Sequence, residues 1–242
     1  MNDFKKEFDD IMGDLVPLSD DITYVCFVMD HSGSMGYNQQ QSLTNFNEYL
    51  KNIQDKAEEK NMQTVVTVVD FDSKIKVPVD NILAEKVQPL KEYWIGGTTA
   101  LYDAIGHGIN TVRRLMDNDP RENKAALFFI NTDGFENASQ EFKQEQLQKI
   151  IKELEDTKKW TFTFLAEGID QAVISNLSQF STGNTVSFNK SVDGYKMSLN
   201  STIRGVNAYY NARVDGKTQV DNFHQNNDTI DDSKGMSGGK NG

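Results

Sequence analysis

Short, continuous apolar runs are the feature that most constrains how this chain can fold. Each run is rich in β-branched or aromatic residues and ends near Asp, Asn or Gly. Strands that are buried on both faces of a parallel sheet have this pattern, whereas half-exposed strands alternate. We therefore predict five buried strands, at residues 24–29, 65–69, 125–130, 161–165 and 185–188.

Amphipathic segments separate these runs. In each of them apolar residues recur at every third or fourth position, which predicts a helix with one apolar face. Strands that alternate with such helices indicate a doubly wound α/β fold with right-handed crossovers. The predicted helical faces lie at residues 43–57, 101–115, 147–154, 172–177 and 195–210.

One further segment has a different pattern. Residues 74–79 (KIKVPV) alternate between polar and apolar side chains and include Pro78. Alternation indicates one solvated face, and proline cannot donate a hydrogen bond within a sheet, so this strand should lie at an edge and run antiparallel. The predicted fold is thus a mostly parallel six-stranded sheet with one antiparallel edge strand and helices on both faces.

The chain divides by composition into three parts. Residues 1–21 form an acidic leader, 22–212 the α/β domain and 213–242 a polar tail. Within 217–242 only four residues are large and apolar, which is too few to offset the entropy of ordering the segment. We therefore expect the tail to be flexible and deletion of residues 217–242 to have little effect on stability.

Charge and cysteine content narrow the class of protein. The net charge is −11, which disfavours binding to nucleic acid or to an anionic membrane. The single cysteine, Cys26, excludes an internal disulfide and a multi-cysteine metal cluster. There is no signal-peptide pattern and no apolar stretch long enough for a membrane span. These features predict a cytoplasmic protein with neither nucleic acid nor membrane as a partner.

Three loops at the predicted strand and helix junctions carry oxygen-bearing side chains. The first, 30–35, follows the first strand; the second, 96–99, precedes a helix; the third, 131–134, follows the 125–130 strand. In a doubly wound sheet these loops should lie on one side, where ligands bind. Carboxylates and hydroxyls are oxygen donors that suit a hard cation such as Mg²⁺ or Mn²⁺.

The residue types also suggest how such an ion would be used. If hydroxyls contact the ion and carboxylates act through water, the ion keeps much of its positive charge and one open position. Such an ion attracts an acidic side chain of another molecule.

These loops resemble those of the von Willebrand factor type A domain family. CFVMDHSGSM contains that family's D-x-S-x-S motif, GGTTALYDAIG is similar to its threonine loop, and FFINTDGFENAS to its second aspartate loop. The resemblance covers about residues 22–212 and implies a metal-ion-dependent adhesion site (MIDAS). By this resemblance Ser32, Ser34 and Thr98 would bind the ion directly, and Asp30 and Asp133 would act through water. Thr99 is adjacent to Thr98 and could take its place.

Later segments are similar to small stand-alone bacterial and phage members of the family. We therefore expect a non-enzymatic, Mg²⁺-dependent (or Mn²⁺-dependent) module that binds an acidic residue of a protein partner, of undetermined oligomeric state. One alternative is a metal-dependent hydrolase or phosphotransferase, although Ser32 stands where a second carboxylate would help catalysis. Another is a structural or assembly subunit, for example one encoded by a phage.

Three residues near the loops allow simpler interpretations. His31 should face solvent, and Asp103 should stabilise the N-terminus of its helix. Glu136 could either line the rim of the binding face or fix the turn after Asp133.

Overall fold

A six-stranded sheet forms the centre of the protein. A computed structural model describes residues 20–134, 136–169 and 184–224, with the side chains of residues 37 and 38 excepted. The sheet order is β3-β2-β1-β4-β5-β6, and all neighbours are parallel except β2 and β3. This confirms the predicted fold class. The strands are β1 (Asp21–Asp30), β2 (Gln63–Phe71), β3 (Ile75–Leu83), β4 (Asn123–Thr132), β5 (Trp160–Glu167) and β6 (Thr185–Phe188).

Helices cover both faces of this sheet. The longer helices in the described residues are α1 (Gln39–Glu59), α2 (Leu101–Asn118), α3 (Gln144–Asp156) and α4 (Val192–Val214). Short 3₁₀ helices span Gly33–Asn38 and Ala84–Lys86. The helix predicted at 172–177 lies outside the described residues. None of the described helices has the length and apolarity needed to cross a bilayer.

Two separate cores form because alternate residues of each strand point to opposite faces. In β1, Tyr24, Cys26 and Val28 pack with α2 and α3. Val25 and Phe27 pack with α1 and α4 on the other face. Both sets are almost fully buried, which explains why the sequence reads as continuous apolar runs.

The antiparallel edge strand lies where the sequence predicts it. Among the described strands β3 pairs with β2 alone, and its residues alternate between half-buried and exposed along most of its length. Pro78 lies in this edge strand, where its missing N–H disrupts the fewest hydrogen bonds.

The topology places the candidate loops together. The chain leaves β1 through α1 towards β2 on one side and later returns through α2 to β4 on the other side of β1. The point where the order reverses therefore lies between β1 and β4, whose carboxyl ends are adjacent. This is where ligands bind in open α/β sheets.

The prediction of a flexible tail from residue 213 is wrong for residues 213–224. The Arg213 side chain is buried and donates a hydrogen bond of 2.8 Å to the carbonyl of Asn123. Phe223 is fully buried, and its N–H donates to Asn184 Oδ1 at 2.9 Å. Burial of a single aromatic ring can order a segment whose other residues are polar. Counting the apolar residues in the segment does not reveal this. Residues 225–242, like residues 1–19 of the leader, lie outside the described residues.

Candidate metal centre

Asp30 lies at the centre of the candidate site. It ends β1, and its side chain is fully buried. Its carboxylate accepts hydrogen bonds from the N–H of Ser32, at 2.8 Å, and from the hydroxyl of Thr132, at 2.6 Å. Burial raises the pKa of Asp30, and the hydrogen bonds from Thr132 and Ser32 partly oppose this rise. The carboxylate is thus held rigidly by its own loop and by the end of the neighbouring strand.

The two serines of the first loop connect Asp30 to Asp133. Ser32 Oγ and Ser34 Oγ lie 3.1 Å apart, and Ser34 Oγ donates to Asp133 Oδ1 at 2.6 Å. Asp133 directly follows β4, so the neighbouring strands β1 and β4 bring it to this point. Four of the five predicted site residues therefore form one connected cluster, and Ser34 is exposed at its surface.

The fifth predicted residue, Thr98, is not part of this cluster. Thr98 is exposed, whereas Thr99 is 3% exposed and points inward. A Cβ placed on Gly134 would lie 3.3 Å from Thr99 Oγ1, 3.6 Å from Ser34 Oγ and 3.8 Å from Asp30 Oδ2. These three oxygens therefore face one small space, and Thr99, not Thr98, provides the threonine hydroxyl there.

The register of the threonine loop depends on contacts that are distant in sequence. Gly97 donates its N–H to Asp72 Oδ2 at 3.0 Å, and a Cβ on Gly96 would lie only 2.0 Å from the same oxygen. The backbone of Gly33 donates to the carbonyl of Gly97, which joins the loop to the serine loop. Thr98 and Thr99 are adjacent and come directly after Gly96 and Gly97. Their spacing in the sequence therefore does not indicate which hydroxyl points into the site.

The cluster fits a hard divalent cation by its chemistry. Each of its donors is a carboxylate or hydroxyl oxygen, which Mg²⁺ and Mn²⁺ prefer. Gly134 leaves open the space that a side chain would fill, as its contacts with Thr99, Ser34 and Asp30 indicate. Among the described residues, no group of three or more His, Cys, Asp or Glu side chains could hold an ion. An ion at this cluster would therefore take a large share of its ligands from hydroxyl groups.

His31 supports the first loop from behind, contrary to the expectation that it faces solvent. It is 1% exposed and stacks on Tyr93 and Trp94, with ring centroids 4.0 and 4.4 Å away. Its Nδ1 lies 2.7 Å from the carbonyl of Trp94, and its Nε2 lies 3.1 Å from Asp70 Oδ1. The loop turns after His31, so this side chain points inward while Ser34 is exposed.

Two other acidic residues fix the loop that follows Asp133. Glu136 accepts hydrogen bonds from the N–H groups of Ala138, Ser139 and Tyr102, which supports its interpretation as a turn-fixing residue. Asp103 accepts three more, from the N–H groups of residues 140–142. Asp103 thus acts as an anchor for this loop as well as lying in the first turn of α2. Together they connect the Asp133 loop to the helix that follows Thr99.

Two functional candidates were not evident from the sequence. Lys190 forms an ion pair with Asp133 Oδ2. Glu167, at the end of β5, is buried and accepts hydrogen bonds from the hydroxyl of Tyr195, at 2.5 Å, and of Ser42, at 3.3 Å. Burial raises the pKa of Glu167 to about 7. Only the sheet order brings these residues near the β4 loop, and no local sequence pattern marks them.

The position of the threonine hydroxyl gives a direct test of the site. We expect Thr99→Ala to weaken Mn²⁺ binding about tenfold or more, because the cluster loses one of its oxygens, and Thr98→Ala to leave the affinity unchanged. Calorimetric titration with Mn²⁺ measures both, and Thr99→Ser, which keeps the hydroxyl, serves as the control. A larger loss in Thr98→Ala would show that the exposed threonine is the ligand.

Comparisons with solved structures agree with this architecture. Proximal thread matrix protein 1 from the mussel byssus superposes with a TM-score of 0.52 at 17% identity, covering 76% of this chain and 45% of its own. A structure of the same mussel protein with a zinc-occupied MIDAS motif gives the same values. The pilus adhesin SpaC from Lactobacillus rhamnosus GG, in its open conformation, gives 0.56 at 14% identity, covering 77% and 30%.

These likenesses concern the fold alone, since the identities are low and this chain spans less than half the length of either protein. None of the curated proteins matches the sequence. The family model for the von Willebrand factor type A domain matches residues 25–203, which include all three loops of the site. This chain therefore belongs to the von Willebrand factor type A domain family.

Proposed function

We propose that this protein is a non-enzymatic binding module that uses Mg²⁺ or Mn²⁺ to capture an acidic side chain of a protein partner. One observation carries the proposal: hydroxyls and carboxylates from three separate loops converge at the carboxyl edge of the sheet. Ser32, Ser34 and Thr99 would hold the ion, and Asp30 and Asp133 would balance part of its charge through water. The bound ion would supply an electrophilic centre for an anionic ligand.

The surroundings of the cluster suit a protein ligand. Ser34 and Gly36 are exposed, and the side chain of Ile95, which lies 3.9 Å from a Cβ built on Gly36, is 37% exposed. An apolar residue beside a metal-bound carboxylate would add contact area around the charged centre. The site is therefore open enough to receive a side chain that projects from another protein.

The side chains near the cluster favour binding over catalysis. A hydrolase would need a base within hydrogen-bond distance of a bound nucleophile. The nearest histidine in sequence, His31, is stacked behind the loop with both ring nitrogens facing Trp94 and Asp70. Asp30 is engaged by Ser32 and Thr132. These groups are committed to holding the loop.

The net charge and the single cysteine support the proposed class of partner and the proposed cytoplasmic location. The net charge of −11 favours a protein partner over nucleic acid or an anionic membrane. Cys26 is free and buried, which suits a reducing compartment such as the cytoplasm. We extend the proposal to a stand-alone cytoplasmic protein of bacterial or phage type on the basis of these features and the resemblance of its later segments.

Asp133→Asn tests the metal centre with little change in shape. We expect it to lower the affinity for Mn²⁺ about 10- to 100-fold, because the cluster loses a negative charge that acts on the ion through water. Calorimetry at fixed ionic strength measures the change, with the exposed Asp80→Asn as the control for removal of one charge. Asp30→Ala is a poorer choice, since it would also leave buried donors of Ser32 and Thr132 unpaired.

The partner is tested by capture from lysate on the immobilised full chain, in Mg²⁺ and in EDTA in parallel. We expect a protein that is retained in Mg²⁺, released by EDTA, and lost with Asp133→Asn but not with Asp80→Asn. Replacement of the partner's contacting Asp or Glu by its amide should also abolish retention. Equal retention in EDTA, or by the Asp133→Asn chain, would refute the proposed function.

A further inference from the structure

Lys190 brings a positive charge to the candidate metal centre. It lies in the short segment between β6 and α4, and its ammonium pairs with Asp133 Oδ2. The other oxygen of Asp133 accepts the hydrogen bond from Ser34. The Asp133 side chain is fully covered, whereas that of Lys190 is 32% exposed. A lysine at the edge of the site therefore neutralises a covered carboxylate within it.

Packing of the Lys190 side chain and hydrogen bonds of the neighbouring backbone position this residue. Its aliphatic chain lies along Gly168, which adopts φ +70°; a Cβ there would meet the Lys190 Cε at 3.4 Å. Ser191 donates its N–H to the carbonyl of Asn189 at 2.8 Å and caps the N-terminus of α4 by accepting from the N–H of Gly194. The backbone is thus fixed, and only the outer part of the lysine side chain needs to move for the ammonium to leave Asp133.

Lys190 and a divalent ion would both interact with the carboxylate of Asp133. An ion held by Ser32, Ser34 and Thr99 would use the negative charge of Asp133 through water, and one of that carboxylate's oxygens is already engaged by Ser34. The ammonium and the ion carry like charges, which repel strongly at the short distances of a covered site. The two cations therefore cannot both use Asp133 fully.

We propose that Lys190 is a tethered cation that competes with the divalent ion for Asp133 and so sets the metal affinity of the site. This inference rests on the metal centre in the proposed function. Binding of the ion then displaces the ammonium towards the exposed edge. The Asp133 carboxylate therefore has a cation beside it in both states.

The first test compares Mn²⁺ affinities by calorimetry in the full chain. We expect Lys190→Met to bind Mn²⁺ about three- to tenfold more tightly than the wild type, because a competing charge is removed. Lys190→Arg keeps the charge and should bind as the wild type does. Lys196→Met removes an exposed lysine from α4 and serves as the matched control, with no expected change. Equal or weaker binding by Lys190→Met overturns the proposal.

The second test follows the lysine itself. Mass spectrometry of peptides measures how fast an acylating reagent modifies Lys190 and Lys196 in Mg²⁺ and in EDTA. Displacement predicts faster modification of Lys190 in Mg²⁺ and no change at Lys196; equal rates at Lys190 refute it. Wild-type protein that binds Mn²⁺ but captures no partner would refute the proposed function alone. Failure of every variant to bind Mn²⁺ would refute both.

Discussion

Replacing Phe223 by alanine is expected to lower the free energy of unfolding by about 3–5 kcal/mol, the usual range for a large aromatic residue in a core. Phe223 is fully buried and packs edge-to-face against Phe129, with ring centroids 5.8 Å apart. It also lies against α4, where a Cβ on Gly205 would approach its ring to 2.2 Å. The glycine provides the space that the phenyl ring fills, so truncation of the ring would leave a cavity.

A pair of truncated chains measures the same contribution independently. A chain that ends at residue 216 lacks Phe223, as well as Gln219, whose amide donates to the carbonyl of Trp160 at 3.0 Å. A chain that ends at residue 224 keeps both. Urea unfolding should show that the chain ending at residue 216 is less stable than the chain ending at residue 224 by several kcal/mol.

The exposed Val214→Ala serves as the control for the loss of apolar surface, since Val214 is 59% exposed. Equal stability of the chains ending at 216 and 224 would contradict the docking of this segment.

Glu167→Gln is expected to change how stability depends on pH. Burial raises the pKa of Glu167 from 4.5 to about 7 in the folded protein. The folded state therefore binds this proton more tightly than the unfolded state. The resulting stabilisation is fully present below about pH 4.5 and is lost as the pH rises through 7. Glutamine does not titrate, so the variant should gain about 3 kcal/mol relative to the wild type between pH 4.5 and pH 8.

Urea unfolding in EDTA at several pH values tests this difference without the charge of a bound ion. The exposed Glu48→Gln on α1 is the control for the removal of one carboxylate. The hydroxyls of Tyr195 and Ser42, which donate to Glu167, can also bond to an amide. A difference between variant and wild type that stays constant from pH 4.5 to 8 would show that the buried carboxyl has an ordinary pKa.

Some contacts of the candidate site could be predicted from the sequence and others could not. Ser32 and Ser34 share one loop with Asp30, so local spacing was enough to group them. The proximity of Asp30 to Asp133 was expected because the loops that follow buried strands should lie on one side of the sheet, and β1 and β4 do pair. The sequence left Thr98 and Thr99 as alternatives, because the orientation of the threonine loop depends on Asp72 of another loop, which accepts the N–H of Gly97.

By itself, the sequence determined the layers of this protein. Apolar periodicity is a local property of the sequence. A strand or helix buried on one face has a different spacing of apolar residues from one buried on both faces. This is why the buried strands, the antiparallel edge strand containing Pro78 and the helices α1 to α4 could be predicted without a structure.

Only the tertiary structure decided which side chains meet. Lys190 and Asp133 are 57 positions apart, and their contact depends on the order of β4, β5 and β6. His31 is buried because Tyr93 and Trp94 provide two aromatic surfaces for its ring. Phe223 is buried in an otherwise polar segment because Gly205 leaves room for its ring. In each case a contact between segments that are distant in sequence stabilises the position of the side chain. Such a contact leaves no periodic pattern in the sequence around either residue.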